Sequence, residues 1–136
     1  MILKTPALPR LLAFDGLTCT AMGALLLAAA DPIAGLTQIP AGLLWWAGLL
    51  LLPTAAFMAI ASRQAPTPHW MTGVIVAGNG LWALVSLALP LLGLIQPNLL
   101  GWLFLLGQGA VVAALGVAEY AADRRAHPAP TRRVAQ

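Results

Sequence analysis

Four long apolar runs, separated by short polar or proline-containing segments, organise this chain. They cover about Leu11–Ala30, Ile39–Ala61, Met71–Ile95 and Leu99–Ala121. The hydrocarbon core of a bilayer is about 30 Å thick and takes about 20 apolar residues in a helix, so each run is long enough to cross it. Backbone donors and acceptors in lipid must be satisfied within the segment, which predicts helices. The polar–apolar alternation of a membrane β-barrel does not occur. The connections DPIAGLTQ, RQAPTPHW and QPN are short, which predicts that consecutive helices are antiparallel neighbours. The expected fold is therefore all-α and integral to the membrane: an antiparallel four-transmembrane-helix bundle over 11–125. An N-terminal segment over 1–10 precedes it. A basic tail over 126–136, with Pro128 and Pro130, follows and is expected to be disordered.

A repeat is visible within the pattern. Pro32–Gln38 and Pro90–Gln96 both read P-x-x-G-L-x-Q, and Pro40–Trp46 aligns with Pro97–Leu103 after a one-residue gap. The reading is two parallel helical hairpins related by an axis along the membrane normal. Coincidence in Leu- and Gly-rich text is the competing explanation.

The few polar residues inside the runs fall on stripes. Thr72, Asn79, Trp82 and Ser86 share one face of the third helix, and Gln108 and Glu119 share one face of the fourth. Asp15 lies on the first helix on one stripe with Cys19 and Met22, and Thr54 lies on the second beside Pro53. Lipid offers such groups no partners, so these faces should point inward. Asn79 and Thr54 are expected at matching depth. Interhelical hydrogen bonding is the simplest role for Asn79 and Gln108. Asp15 and Glu119 are candidates for ion pairs with Arg10, Arg63, Arg124 and Arg125, or for a proton- or cation-responsive site in a cavity. Gly16, Gly23, Gly78, Gly80, Gly107 and Gly109 would allow close helix approach, with a tight crossing expected at Gly107-Gln108-Gly109.

Composition agrees with the membrane reading. Hydrophobic residues make up 60% of the 136 residues and charged ones 8%, against about 25% charged in soluble domains. The basic balance does not imply nucleic acid, because all seven Lys and Arg flank the apolar runs. Lys4, Arg10, Arg63, Arg124, Arg125, Arg132 and Arg133 all fall on one side of the expected membrane. The positive-inside rule then places both termini in the cytoplasm. Abundant Ala, Leu, Gly, Pro and Arg suggests a bacterial gene, and hence the bacterial inner membrane. Trp45, Trp46 and Trp102 at one set of helix ends, with Trp70 and Tyr120 at the other, suit interfacial belts. The basic tail suits anionic lipid headgroups.

An alternative reading of the N-terminus is a signal peptide cleaved after Ala30, but Asp15 interrupts its apolar stretch. Cys19 is the only cysteine, so an intrachain disulfide and a Cys cluster are excluded. His69 and His127 lack a second ligand at helical spacing, so no haem, metal or other cofactor is expected. No nucleophile–base pair or phosphate cradle is visible, so an enzyme is not expected. GNG at Gly78–Gly80 has neither the preceding strand nor the lysine of a nucleotide loop.

Asp15, GNGLW in the third helix and GQG in the fourth give a layout that resembles small four-transmembrane-helix bacterial inner-membrane proteins. The size and the helix-one carboxylate are also similar to small multidrug-resistance transporters. That resemblance implies exchange of protons for cationic substrates at a carboxylate shared in a dimer. This chain departs from it in carrying Asp15 instead of Glu and in lacking an aromatic, Gly-rich third-helix signature. Two functions follow as expectations. One is a non-enzymatic structural, accessory or lipid-interacting membrane protein that associates with itself or with a larger complex. The other is a small proton-coupled transporter using Asp15.

Overall fold

The structure, a computed structural model, describes residues 7–128. The chain forms α1 (Ala7–Ala28), α2 (Ala30–Thr37), α3 (Ala41–Arg63), α4 (His69–Leu91) and α5 (Leu99–Ala126). Four of these, all but α2, are long and apolar enough to cross a membrane. Among the described residues there is no strand. Most of the tail expected to be disordered, together with Lys4, Arg132 and Arg133, lies outside the described residues.

The helix boundaries follow from proline and glycine. Pro32 lacks an N–H and its ring would strike the carbonyl four residues back, which disfavours running on in α1, although α3 continues through Pro53. The chain bends at Ala29 (φ −128°, ψ 28°) and restarts as α2, with Pro32 in its first turn. The third span, expected to reach Ile95, ends at Leu91. There Gly93 takes a left-handed φ of 74°. Leu94 N–H then reaches Leu89 C=O and Gly93 N–H reaches Pro90 C=O, at 3.0 and 3.1 Å. This pair of bonds closes a helix C-terminus and needs a residue tolerant of positive φ. The two P-x-x-G-L-x-Q stretches therefore differ in backbone: one proline opens a helix and the other stands near the end of one.

Packing divides the bundle into two hairpins, α1 with α3 and α4 with α5, which meet chiefly through α1 and α5. The expectation that all consecutive helices are close neighbours fails at one place. α3 and α4 are consecutive spans yet barely touch. α3 presents its small-residue face to α1 instead. At that crossing a Cβ on Gly48 would stand 2.9 Å from Gly23 C=O, and one on Gly23 would stand 3.0 Å from Gly48 C=O. Gly16 faces Met58 in the same seam. The expected tight crossing at Gly107-Gln108-Gly109 is not found. Nothing lies within 4 Å of a Cβ built at Gly107 or Gly109, nor at Gly78 or Gly80.

The two hairpins are tied at the end opposite the arginines. Asn98 N–H and Nδ2 donate to Thr37 C=O and Leu36 C=O, at 3.0 and 2.8 Å. Asn98 Oδ1 in turn accepts from Gly101 N–H at 2.9 Å. One side chain thus caps α5 and holds the C-terminus of α2.

The outer faces of the long helices are apolar. Leu17, Leu84, Leu99, Val117 and many others are exposed, far more apolar surface than a soluble monomer shows. A bilayer is the environment that covers it. Trp45 and Trp46, in edge-to-face contact at 5.1 Å, stand near the start of α3, while Trp70 and Tyr120 stand near the opposite ends of α4 and α5.

The glycine asymmetry is testable. Gly48→Leu should push α1 from α3 and destabilise the fold by about 1–3 kcal/mol, the usual cost of overpacking. Gly107→Leu should stay within about 0.5 kcal/mol of the parent. Thermal unfolding of both variants in the same detergent compares them.

Candidate functional site

The arginine-bearing end of the bundle carries Arg10, Arg63, Arg124 and Arg125, and from it one can measure depth. At about 1.5 Å per residue, Asp15 lies about 12 Å along α1, Asn79 about 15 Å along α4, and Glu119 about 10 Å before the end of α5. These three side chains meet. Asn79 Nδ2 donates to Asp15 Oδ2 at 2.8 Å and to Glu119 Oε2 at 3.1 Å. All three residues are buried, at 1%, 6% and 0% exposure for Asp15, Asn79 and Glu119. The two carboxylates share one amide nitrogen, which sets them side by side. Two buried carboxylates so placed repel when both are ionised. Glu119 Oε1 has no partner at all.

Cys19, one turn beyond Asp15, closes the cluster. Its Sγ lies 3.7 Å from Asp15 Oδ1 and 3.9 Å from Met58 Sδ. Gly116 makes room on α5, since a Cβ there would meet Asn79 at 3.4 Å. Thr72, also on the inward face of α4, is buried with its hydroxyl unpaired.

The other candidates from the sequence take separate places. Gln108 is spent on a pin between α4 and α5. Its Oε1 accepts from Trp82 Nε1 at 2.8 Å, and its Nε2 donates to Ser86 Oγ at 2.7 Å. Thr54 does not reach Asn79; it is exposed and bonds back to Leu50 C=O on its own helix. The arginines also do not gather on the carboxylates. Arg125 Nε donates to Ala121 C=O, Arg124 lies 5.8 Å from the Tyr120 ring centroid, and Arg10 and Arg63 are exposed. Among the described residues the ion pairs are those of Asp123 with His69 and His127.

Three crevices of about 330, 380 and 380 Å³ converge on Trp82. The first two follow the open seam between α3 and α4. One reaches Ser86 and Gln108 among Leu44, Leu81 and Phe104, and the other reaches Asn79 and Cys19 past Pro53 and Phe57. The third lies between α1 and α5 and reaches Asp15 and Gln108. Gly78 lines the first two and Gly107 the third. These glycines leave space for a cavity instead of bringing helices together. The walls are dominated by Leu, Met, Phe and Val, so the crevices suit an apolar body with one polar head.

Sequence reasoning placed Asp15, Asn79 and Glu119 on inward faces but did not join them. It missed the grouping of His69 and His127 around Asp123. The spacing Asp123–His127 is one helical turn, a signal that a search for a second histidine passes over. No protein family, no curated protein and no solved structure matches the chain.

Gln108→Leu should remove the α4–α5 pin and leave Trp82 Nε1 without an acceptor. The expected cost is about 0.6–2 kcal/mol, the range for interhelical hydrogen bonds in lipid. A fall in the unfolding temperature with a blue-shifted Trp82 emission, read in variants keeping that tryptophan alone, checks it.

Proposed function

We propose that the chain is a non-enzymatic, multi-pass protein of the bacterial inner membrane, with both termini in the cytoplasm, that carries an amphipathic cation in exchange for protons. The supporting observation is the Asp15–Asn79–Glu119 cluster. It holds two buried carboxylates on one amide donor, with an unpartnered oxygen on Glu119. A network serving only to hold helices together would satisfy its own acceptors. Here an acceptor is left over, in a cluster whose Asp15 and Asn79 line crevices.

The chemistry follows from that vacancy in bonding. A proton held between Asp15 and Glu119 relieves their mutual repulsion when no ligand is present. A positively charged head entering the cluster displaces that proton and takes up the spare acceptor. Asn79 keeps both carboxylates oriented throughout, since its two amide hydrogens can serve both. The apolar walls favour a ligand that arrives through the lipid over a hydrated ion. The open α3–α4 seam gives its apolar body a lateral way in, and the Trp82 ring offers a face for the cation. The topology rests on the one-sided distribution of all seven Lys and Arg.

Tetraphenylphosphonium is a suitable probe. Full-length protein in lipid nanodiscs should bind it saturably and release about one proton per cation, as one carboxylate pair allows. Asp15→Asn and Glu119→Gln should each weaken binding about tenfold or more, the factor for about 1.4 kcal/mol, and abolish the proton release. Folded wild-type protein that binds no cation, or binds it equally in both variants, overturns the carrier. The cluster would then be structural, and the chain an accessory subunit identified by what co-purifies with it from native membrane.

A further inference from the structure

The arginine-bearing end of the second hairpin holds another cluster, separate from the carboxylate site. His69 is the first residue of α4, and Asp123 and His127 stand one turn apart at the end of α5. Asp123 is 2% exposed. Its Oδ2 lies 2.5 Å from His69 Nδ1, and its Oδ1 lies 3.2 Å from His127 Nδ1. His127 Nδ1 also lies 3.3 Å from Asp123 C=O, and the buried Oδ1 makes no hydrogen bond. One ligand atom from each of the three residues falls within 4.8 Å of the others. The two rings approach at 5.6 Å between centroids.

We infer that His69, Asp123 and His127 form a binding site for a zinc-like divalent cation at the mouth of the α4–α5 hairpin. Two imidazoles and a carboxylate are the donor set preferred by Zn²⁺ and its neighbours, and would exclude calcium or magnesium, which take oxygen. Bonds of about 2.0–2.2 Å in a tetrahedron place ligand atoms about 3.3 Å apart. The Asp123–His127 pair already has that spacing. His69 Nδ1 stands on the other carboxylate oxygen, Oδ2, so the His69 side chain, 70% exposed, has to shift towards Oδ1 to share the ion. Asp123 is the fixed member, held by burial, with its spare oxygen turned to the site. Three protein ligands leave a fourth position for water on the exposed side. Cation binding would tie the first turn of α4 to the last turn of α5, at the opposite end of the hairpin from Asn98.

The chain holds no third histidine and no cysteine besides the buried Cys19, so the competing sites are few. Full-length protein, stripped with chelator, freed of any polyhistidine tag and set in nanodiscs, is titrated with Zn²⁺ by calorimetry. Co²⁺ is added in parallel to read coordination from its visible absorption. One ion per chain and a four-coordinate cobalt spectrum are expected. His69→Ala and His127→Ala, both at accessible positions that a folded chain tolerates, should each weaken Zn²⁺ binding at least tenfold and erase the cobalt spectrum. Asp123→Asn should do the same if it folds, while Glu119→Gln should leave Zn²⁺ binding unchanged. Absence of stoichiometric binding in the wild type, or equal binding in both histidine variants, overturns the site and leaves a hydrogen-bonded tie between helices. Loss of cation carriage in Asp15→Asn has no bearing on this outcome.

Discussion

Asn79 Nδ2 joins three helices and both hairpins through one atom. In water such a bond would compete with solvent at every moment. In lipid no solvent competes, and each acceptor left without a donor costs far more than a bond normally returns. That constraint explains the placement of α1, α4 and α5 around a common axis: Asp15 and Glu119 can be buried only where the amide reaches both. The second tie, Asn98 on the C-terminus of α2, repeats the same logic at the opposite end.

Much of this architecture was legible in the residues because lipid simplifies the code. Length and apolarity place the four spans, and the rarity of polar groups marks their inward faces. The endings were harder to read. Pro32 and Pro90 open heptads that share four of seven residues, yet one belongs to a first turn and the other to a last turn. The backbone before each differs: the chain has already bent at Ala29 ahead of Pro32, whereas Pro90 still lies inside α4, which ends one residue later at Leu91. Glycine is ambiguous in the same way. Gly23 and Gly48 bring two backbones together, whereas Gly78 and Gly107 leave a void. Nothing in a single chain's text separates these uses, because each depends on which helix lies opposite.

The site was half readable for a related reason. The stripe positions of Asp15, Asn79 and Glu119 fix the direction in which they point, and depth fixes their level. Whether they meet each other or an arginine depends on the rotation of each helix. The glycine-lined α1–α3 seam sets part of that rotation. With α1 committed to α3 through Gly16 and Gly23, its carboxylate turns towards α4 and α5 and away from Arg63. In the sequence Asp123 reads as a polar stop after the last span. Its burial depends on α4 beginning as early as His69.

The pairing of α1 with α3 leaves α3 and α4 without a shared interface, and the consequence is mechanical. The halves pack together more through α1 and α5 than through α3 and α4, so the α3–α4 side offers the least resistance to their separation. That side faces the acyl chains. What fills the gap along that seam is therefore acyl chain and not protein, so the surrounding lipid completes the wall of the crevice.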